Sequence, residues 1–298
     1  MTIATATAMA SRAGIRRAAS FRALQFPGAG PVSVSARAPF TSSRVAQGPS
    51  PTAQPPLPLA RWVSDVSERI GKCIMFGCDA AQIKRAGGIL STLAREWRVL
   101  SAGSEGFLTG GRRGLEDQQV VWGEMDSFGH VNNVAYIRYA ESGRVNWISH
   151  FALQGPEHRH AWQDLMKPKT IGLIMKSIKA DYKFPMTAPD RISVYHKLST
   201  LPEATHTSLL LDCVIISHGH RRIAARTTED IAIYDYREAK KTVLPPFMLS
   251  TLRDTWRQQE EQAAWARGRI LDLLREVELL EKETWNREDA VEDFGDKR

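Results

Sequence analysis

Cysteine is scarce, at three in 298 residues. That is too few for a disulfide framework, so a reducing compartment fits the chain best. No stretch approaches the roughly 18 consecutive apolar residues that a membrane helix needs, so no membrane span is expected. A glycine-rich phosphate loop is also missing. Gly103, Gly106, Gly110 and Gly111 lack the strand–turn–helix setting and the terminal Lys-Ser/Thr that such a loop requires. No cofactor is called for. Acidic residues are absent from positions 1–60, which hold Arg12, Arg16, Arg17, Arg22, Arg37 and Arg44 and no lysine. The chain as a whole is nonetheless rich enough in apolar residues, at 43% against 24% charged, to exclude global disorder.

The net charge must be divided by position. It is +7, from 40 Lys+Arg against 33 Asp+Glu; removing the six leader arginines leaves 34 basic and 33 acidic residues, or +1. A nearly neutral remainder gives no electrostatic case for a nucleic-acid partner. The Ala/Ser/Arg-rich, acid-free leader reads instead as a mitochondrial transit peptide over residues 1–45, with cleavage expected near Arg37–Arg44. Ile15, Phe21, Leu24 and Phe26 can share one helical face there. No apolar core follows the charges, which argues against a secretory signal. The expected address is therefore the mitochondrion, with the matrix as the compartment. A proline-rich linker follows at 46–60.

Beyond it, the spacing of Trp62, Val66 and Ile70, then of Ile89, Leu93 and Trp97, predicts helices, with a break at Gly87-Gly88. Together with a flexible glycine-rich connection, these make an extension over 61–114. Gln118–Gly123 then reads as a strand and Asn133 to about Phe151 as a helix. β-Branched segments follow at Ile171–Phe184, Asp190–Leu201, His206–Ser217 and Arg222–Asp235. In the second of these, Ile192, Val194 and His196 alternate with polar residues, as in a half-exposed strand. Leu209–Ile216 is nearly continuous, as in a strand buried on both faces. The fold class is α+β, an antiparallel sheet around one long central helix, over residues 115–245.

From 246 to 286, Leu249, Leu252, Trp256, Gln259, Ala263, Ala266, Ile270, Leu273, Val277 and Leu280 follow a 3,4 spacing. This pattern fits a coiled coil or a helix packed on a neighbouring molecule, and equally an amphipathic helix folded back on its own sheet. Residues 287–298 are a tail.

The segment that carries chemistry runs from Glu124 to Arg144. A strand ends, and a short loop presents Asp126 and His130, with Gly129 allowing a tight path. Asn132 or Asn133 caps the helix that follows. The unpaired N–H groups at its start attract negative charge. A carboxylate, an imidazole and a helix start so grouped suit attack on a carbonyl, with Asp126 as base or nucleophile and the helix start as oxyanion donor. Each residue also has a plainer reading. Asp126 serves a turn, His130 holds the loop by hydrogen bonds, Asn132 and Asn133 are caps, and Tyr136 and Tyr139 pack on the sheet. Glu141 and Arg144, three apart, are expected to pair along the helix. Cys73 and Cys78 have no partner cluster, and His218 and His220 would need further ligands, so no metal site is expected.

The segment resembles the signature of the hotdog-fold thioesterases, in particular the 4-hydroxybenzoyl-CoA thioesterase-like family. Their acidic-x-Asp-x-x-Gly-His-Val-Asn-Asn-x-x-Tyr followed by Glu-x-x-Arg is matched from Glu124 to Arg144. The combined features are also similar to a group of fungal mitochondrial thioesterase-like proteins. The resemblance implies a hotdog fold and hydrolysis of an acyl-CoA or acyl-carrier-protein thioester. It assigns Asp126 as the catalytic carboxylate and His130 as a second catalytic residue. It puts the oxyanion site at the Asn132–Asn133 helix start, and Phe128, Gly129 and Tyr136 beside the substrate. It also implies a homodimer or tetramer. Plant acyl-carrier thioesterases, similar in Asp-x-x-x-His-Val-Asn-Asn, carry Asn where this chain has Phe128, so their mechanism does not transfer whole. Two rival functions stay open. One is a non-catalytic hotdog scaffold in a mitochondrial complex, suggested by the added helices. The other is a dehydratase of the same fold, for which no second Asp–His pair is found.

Overall fold

The computed structural model describes residues 55–292. The leader expected to be a transit peptide, most of the linker before residue 55 and the last six residues lie outside the described residues. Two helices come first, α1 (Trp62–Met75) and α2 (Ala80–Gly103). Gly87-Gly88 does not break the second. Each glycine costs about 1 kcal/mol relative to Ala, and burial of Ala86 before the pair and of Ile89, Leu93 and Leu100 after it offsets that. The break falls instead at Phe76–Asp79. There Asp79 accepts from the Gln82 N–H at 2.8 Å, and the Gln82 side chain accepts from the Asp79 N–H at 2.9 Å, a reciprocal cap that starts a new helix.

The sheet contains β1 (Gly114–Val120), β2 (Ile171–Tyr182), β3 (Asp190–Leu198), β4 (Ser208–Ser217) and β5 (Arg222–Asp235), with a two-residue β6 (Lys240–Lys241). The order is β1-β3-β4-β5-β2, and every pairing is antiparallel. The long helix α3 (Asn133–Gln154) lies against β1, β3, β4 and β5. A short α4 (Arg159–Asp164) follows it. One glycine permits the close approach of α3: a Cβ on Gly143 would stand 2.8 Å from Val194 Cγ1. The α+β expectation of a sheet around one central helix holds.

Three local expectations are corrected. β1 begins earlier and ends at Val120; Trp122–Glu124 turns into a 3₁₀ segment, whose Glu124 carboxylate accepts the Val121 N–H at 3.0 Å. β3 is not half-exposed: Ile192 through His196 are all buried, because both faces of the sheet are covered. On one face Ile192, Val194, Cys213 and Ile215 meet α3. On the other, Tyr195, Val214 and Ile216 meet Ala102 and Phe107. The connection after α2 is therefore not a loose one. Burying Phe107 contributes about 1.5–3 kcal/mol, enough to offset the ~1–2 kcal/mol of ordering its backbone.

The last helix, α5 (Pro246–Glu283), is a single rod of 38 residues. Its 3,4 seam is spent within the chain. Ala266, Ile270, Leu273, Val277 and Leu280 pack on Val66, Ile70, Cys73, Ile89 and Leu93 of α1 and α2. Arg69 clamps Glu281 through two bonds of 2.9 and 2.7 Å. Gln259, a weak position in a hydrophobic repeat, has a specific partner. It accepts from the Leu198 N–H at 2.9 Å and donates to the Leu198 carbonyl at 3.2 Å, docking the helix on the end of β3. Of the two arrangements open for this helix, α5 folds back, on its own helices as well as its own sheet.

Candidate active site

Between β1 and α3 the chain makes a tight, hydrogen-bonded loop. The Asp126 N–H donates to the His130 carbonyl at 2.8 Å and the Gly129 N–H to the Asp126 carbonyl at 3.0 Å. Gly129 sits at φ 74°, a left-handed conformation that glycine adopts without steric cost. The loop is fastened at both ends. The Asn132 N–H donates to the Glu124 carbonyl and the Val131 N–H to the Met186 carbonyl, each at 2.8 Å. Asn132 is the cap of α3: its Oδ1 accepts the Val134 N–H at 2.9 Å. The next donor, the Asn133 N–H, occupies the first helical position and has no partner among the described residues. It is a free amide at the positive end of a helix of 22 residues.

Asp126 is half-buried. One carboxylate oxygen, Oδ1, accepts the Phe128 N–H at 2.9 Å, which fixes the rotamer and leaves the second oxygen free. Asp126, Phe128, His130, Asn133 and Tyr136 line one groove of about 590 Å³. Gly129 and Asn132 shape it through the backbone. Phe128 stands at its mouth, 82% exposed. Tyr136 is buried at its floor, where its hydroxyl oxygen accepts the Met186 N–H at 3.3 Å. Burial pushes the Tyr136 hydroxyl above its ordinary range, so it is neutral at physiological pH.

Sequence reasoning missed the opposite wall, Tyr182, Lys183, Phe184 and Pro185. Tyr182 donates to the Asn133 carbonyl at 3.1 Å and meets Tyr136 edge-on, with centroids 5.2 Å apart. These residues lie about fifty positions downstream of the loop, so no local spacing marks them. The one available signal was an aromatic–basic–aromatic run closing a strand before a proline.

Two other polar clusters stand elsewhere. Ser193 Oγ lies 2.9 Å from His218 Nε2, and His218 Nδ1 lies 3.7 Å from Asp117 Oδ1. The order of residues is that of a hydrolytic triad, but Ser193 is wholly buried, the second contact is too long for a hydrogen bond, and Arg191 holds the other Asp117 oxygen at 2.7 Å. The second cluster lies under α3. Arg144 does not pair with Glu141; its Nη1 reaches Glu229 Oε2 at 2.8 Å, while Thr227 donates to Glu229 Oε1 at 3.0 Å and His196 Nε2 lies 3.4 Å from it. Burial pushes the Glu229 carboxyl up, but His196 and Arg144 outweigh it and hold it below the usual carboxylate range. A buried acid attracts a cation more strongly than the solvated Glu141 does, which explains the exchange of partners. Neither cluster opens onto the groove. Among the described residues no group of three or more His, Cys, Asp or Glu is arranged to hold a metal, and no helix is long and apolar enough to cross a membrane.

Residues 120–252, from the end of β1 into α5, match the thioesterase-like superfamily. Over these residues the chain is similar to that superfamily, and its antiparallel sheet around one central helix is the hotdog arrangement. Its class is that of the thioester hydrolases. Helices α1, α2 and most of α5 lie outside the matched residues. None of the curated proteins matches the chain significantly. Among solved structures, a thioesterase from Thermus thermophilus complexed with coenzyme A and zinc is 18% identical, with 49% of this chain and 97% of that one covered and a TM-score of 0.37. A 1,4-dihydroxy-2-naphthoyl-CoA thioesterase from Synechocystis is 20% identical, covering 48% and 91%, with a TM-score of 0.36. A DHNA-CoA thioesterase from Staphylococcus aureus is 14% identical, covering 49% and 87%, with a TM-score of 0.34.

Proposed function

We propose that this thioesterase-like protein is a mitochondrial acyl-CoA thioesterase. One observation carries the reading: the half-free carboxylate of Asp126 and the unpartnered Asn133 N–H face one groove. The thioester carbonyl oxygen sits on the Asn133 amide, where the helix start stabilises the developing oxyanion; one such donor contributes on the order of 3–4 kcal/mol. Asp126 accepts a proton from water as the water oxygen bonds to the carbonyl carbon. The carbon–sulfur bond then breaks, the thiolate takes the proton, and a carboxylic acid and a free thiol leave. Direct attack by Asp126 gives the same products through an anhydride that water opens. His130 lines the groove as a second proton carrier, and Tyr136 and Tyr182 bound the space for the acyl group.

A homodimer or tetramer belongs to the same reading. Trp122 (81% exposed), Phe128 and Val134 (60%) leave an apolar rim uncovered around the site, and β2 offers a 12-residue edge that a second copy would cover. Light scattering on purified protein tests this. The acid-free leader supports mitochondrial import, tested by whether residues 1–60 carry a fluorescent reporter there. The scaffold reading drew on the heptad seam, and that seam is filled by α1 and α2. The activity test is thiol release across short, long and aromatic acyl-CoAs. Activity in the wild type that is lost in Asp126→Asn supports the reading; the absence of thiol release from every donor overturns it.

A further inference from the structure

The groove at Asp126 continues beyond its own rim. Lys183 and Phe184 line it and also line a second groove of about 650 Å³. The start of β5 supplies Arg222, Ile223 and Arg226 to this second groove, and the end of α2 supplies Ser101, Ser104 and Glu105. Its outer wall is Leu57 to Ala60 with Trp62, from the segment that enters α1. The wall and the α2 residues precede the matched domain, so the N-terminal addition builds a recess beside the site.

The charges in this recess are unequal. Arg226 and Glu105 clamp each other through two bonds of 2.6 Å and cancel. Lys183 and Arg222 have no carboxylate partner among the described residues. Arg222 is held in place without one: its guanidinium lies 4.0 Å from the centre of the Phe184 ring. The rest of the recess is mostly apolar, from Leu57, Pro58, Leu59 and Ile223. Two free cations stand at the junction, with an apolar hollow past them and a carbonyl-attacking site before them. That sequence of environments matches one substrate shape, a thioester on a long arm that ends in phosphates and a nucleoside.

We propose that the second groove binds the 3′-phosphorylated ADP end of coenzyme A. Lys183 and Arg222 hold the phosphates by charge-assisted hydrogen bonds, and Leu57, Leu59 and Ile223 lie along the adenosine. This rests on the acyl-thioester reading of Asp126 and selects its donor. A carrier protein brings its arm from a folded surface and has no nucleotide to fill the recess.

Calorimetry of the full chain with adenosine 3′,5′-bisphosphate tests the recess without any hydrolysis. Saturable binding is expected, weakened at least tenfold by Arg222→Glu and likewise by Leu59→Glu. Leu59 is 75% exposed, so that change does not threaten the fold. No saturable binding by the wild type, or equal affinity in both variants, overturns the proposal. In the kinetic arm, the ratio of kcat/KM for an acyl-CoA to that for the N-acetylcysteamine thioester of the same acid falls tenfold or more in Arg222→Glu, mainly through KM. An unaltered ratio overturns it as well. Bisphosphate binding with no hydrolysis of any thioester counts for this groove and against the catalytic reading of Asp126, so the two fail separately.

Discussion

Three groupings of a carboxylate with a histidine compete as active sites in this fold, and they differ in access more than in geometry. Ser193, His218 and Asp117 have the residue order of a hydrolytic triad, and Glu229, His196 and Arg144 are the most buried ionic group. Ser193 and the whole Glu229 group are sealed by packed side chains, and Asp117, though exposed, is held by Arg191. Asp126 and His130 make fewer contacts. One carboxylate oxygen is free, one helix amide is unpartnered, and both face a groove of about 590 Å³. A satisfied polar cluster contributes stability and specificity, whereas chemistry needs groups with capacity left for a substrate. The difference identifies the site by what its groups have left unbonded.

The comparison breaks most sharply at Asp126. Asp126→Asn should lower thioester hydrolysis by about 10²–10⁴-fold, with thermal unfolding close to wild type. If Ser193→Ala removes activity and Asp126→Asn does not, the assignment of open and sealed clusters is reversed. Glu229→Ala should show the opposite behaviour, a loss of about 3–5 kcal/mol of stability, because Arg144 and His196 are left buried without their anion; chemical denaturation measures it. The same pair fixes a pH dependence. Glu229 is depressed in the folded state, so its contribution is complete above the ordinary carboxylate pKa near ~4.3. It is lost as pH falls through the lower folded value. Unfolding curves between neutral pH and pH 3 should therefore converge for wild type and Glu229→Ala. Gln259→Ala should cost about 1–3 kcal/mol by orphaning the Leu198 amide and carbonyl. The smallest effect is expected for Ser193→Ala, about 1 kcal/mol of stability with hydrolysis retained. Equal stability losses in Gln259→Ala and an exposed control such as Gln163→Ala would remove α5 docking from the account.

Much of the architecture was legible in local pattern. The four strands after α3 lie where β-branched runs between prolines and glycines indicated, and α3 begins at Asn133, where a capping asparagine precedes an apolar repeat. Patterns of that kind are set by neighbours within a few residues. What was misread depends on distant contacts. Gly87-Gly88 stays helical because α5 packs alongside α2. β3 loses its exposed face because Phe107 returns to cover it. Arg144 leaves Glu141 for an acid 85 residues away. At the site, the loop and its helix start were visible as one contiguous motif, while Tyr182 to Pro185 were not.

By itself, then, the sequence determined the strand and helix order and the loop from Asp126 to Asn133, since each depends on groups near in the chain. Tertiary structure alone decided which polar groups remain unbonded, that the heptad seam of α5 is used internally, and that Leu57 to Trp62 stand beside Lys183 and Arg222. Access and charge pairing are properties of surfaces brought together from far apart. No spacing along a single segment encodes them.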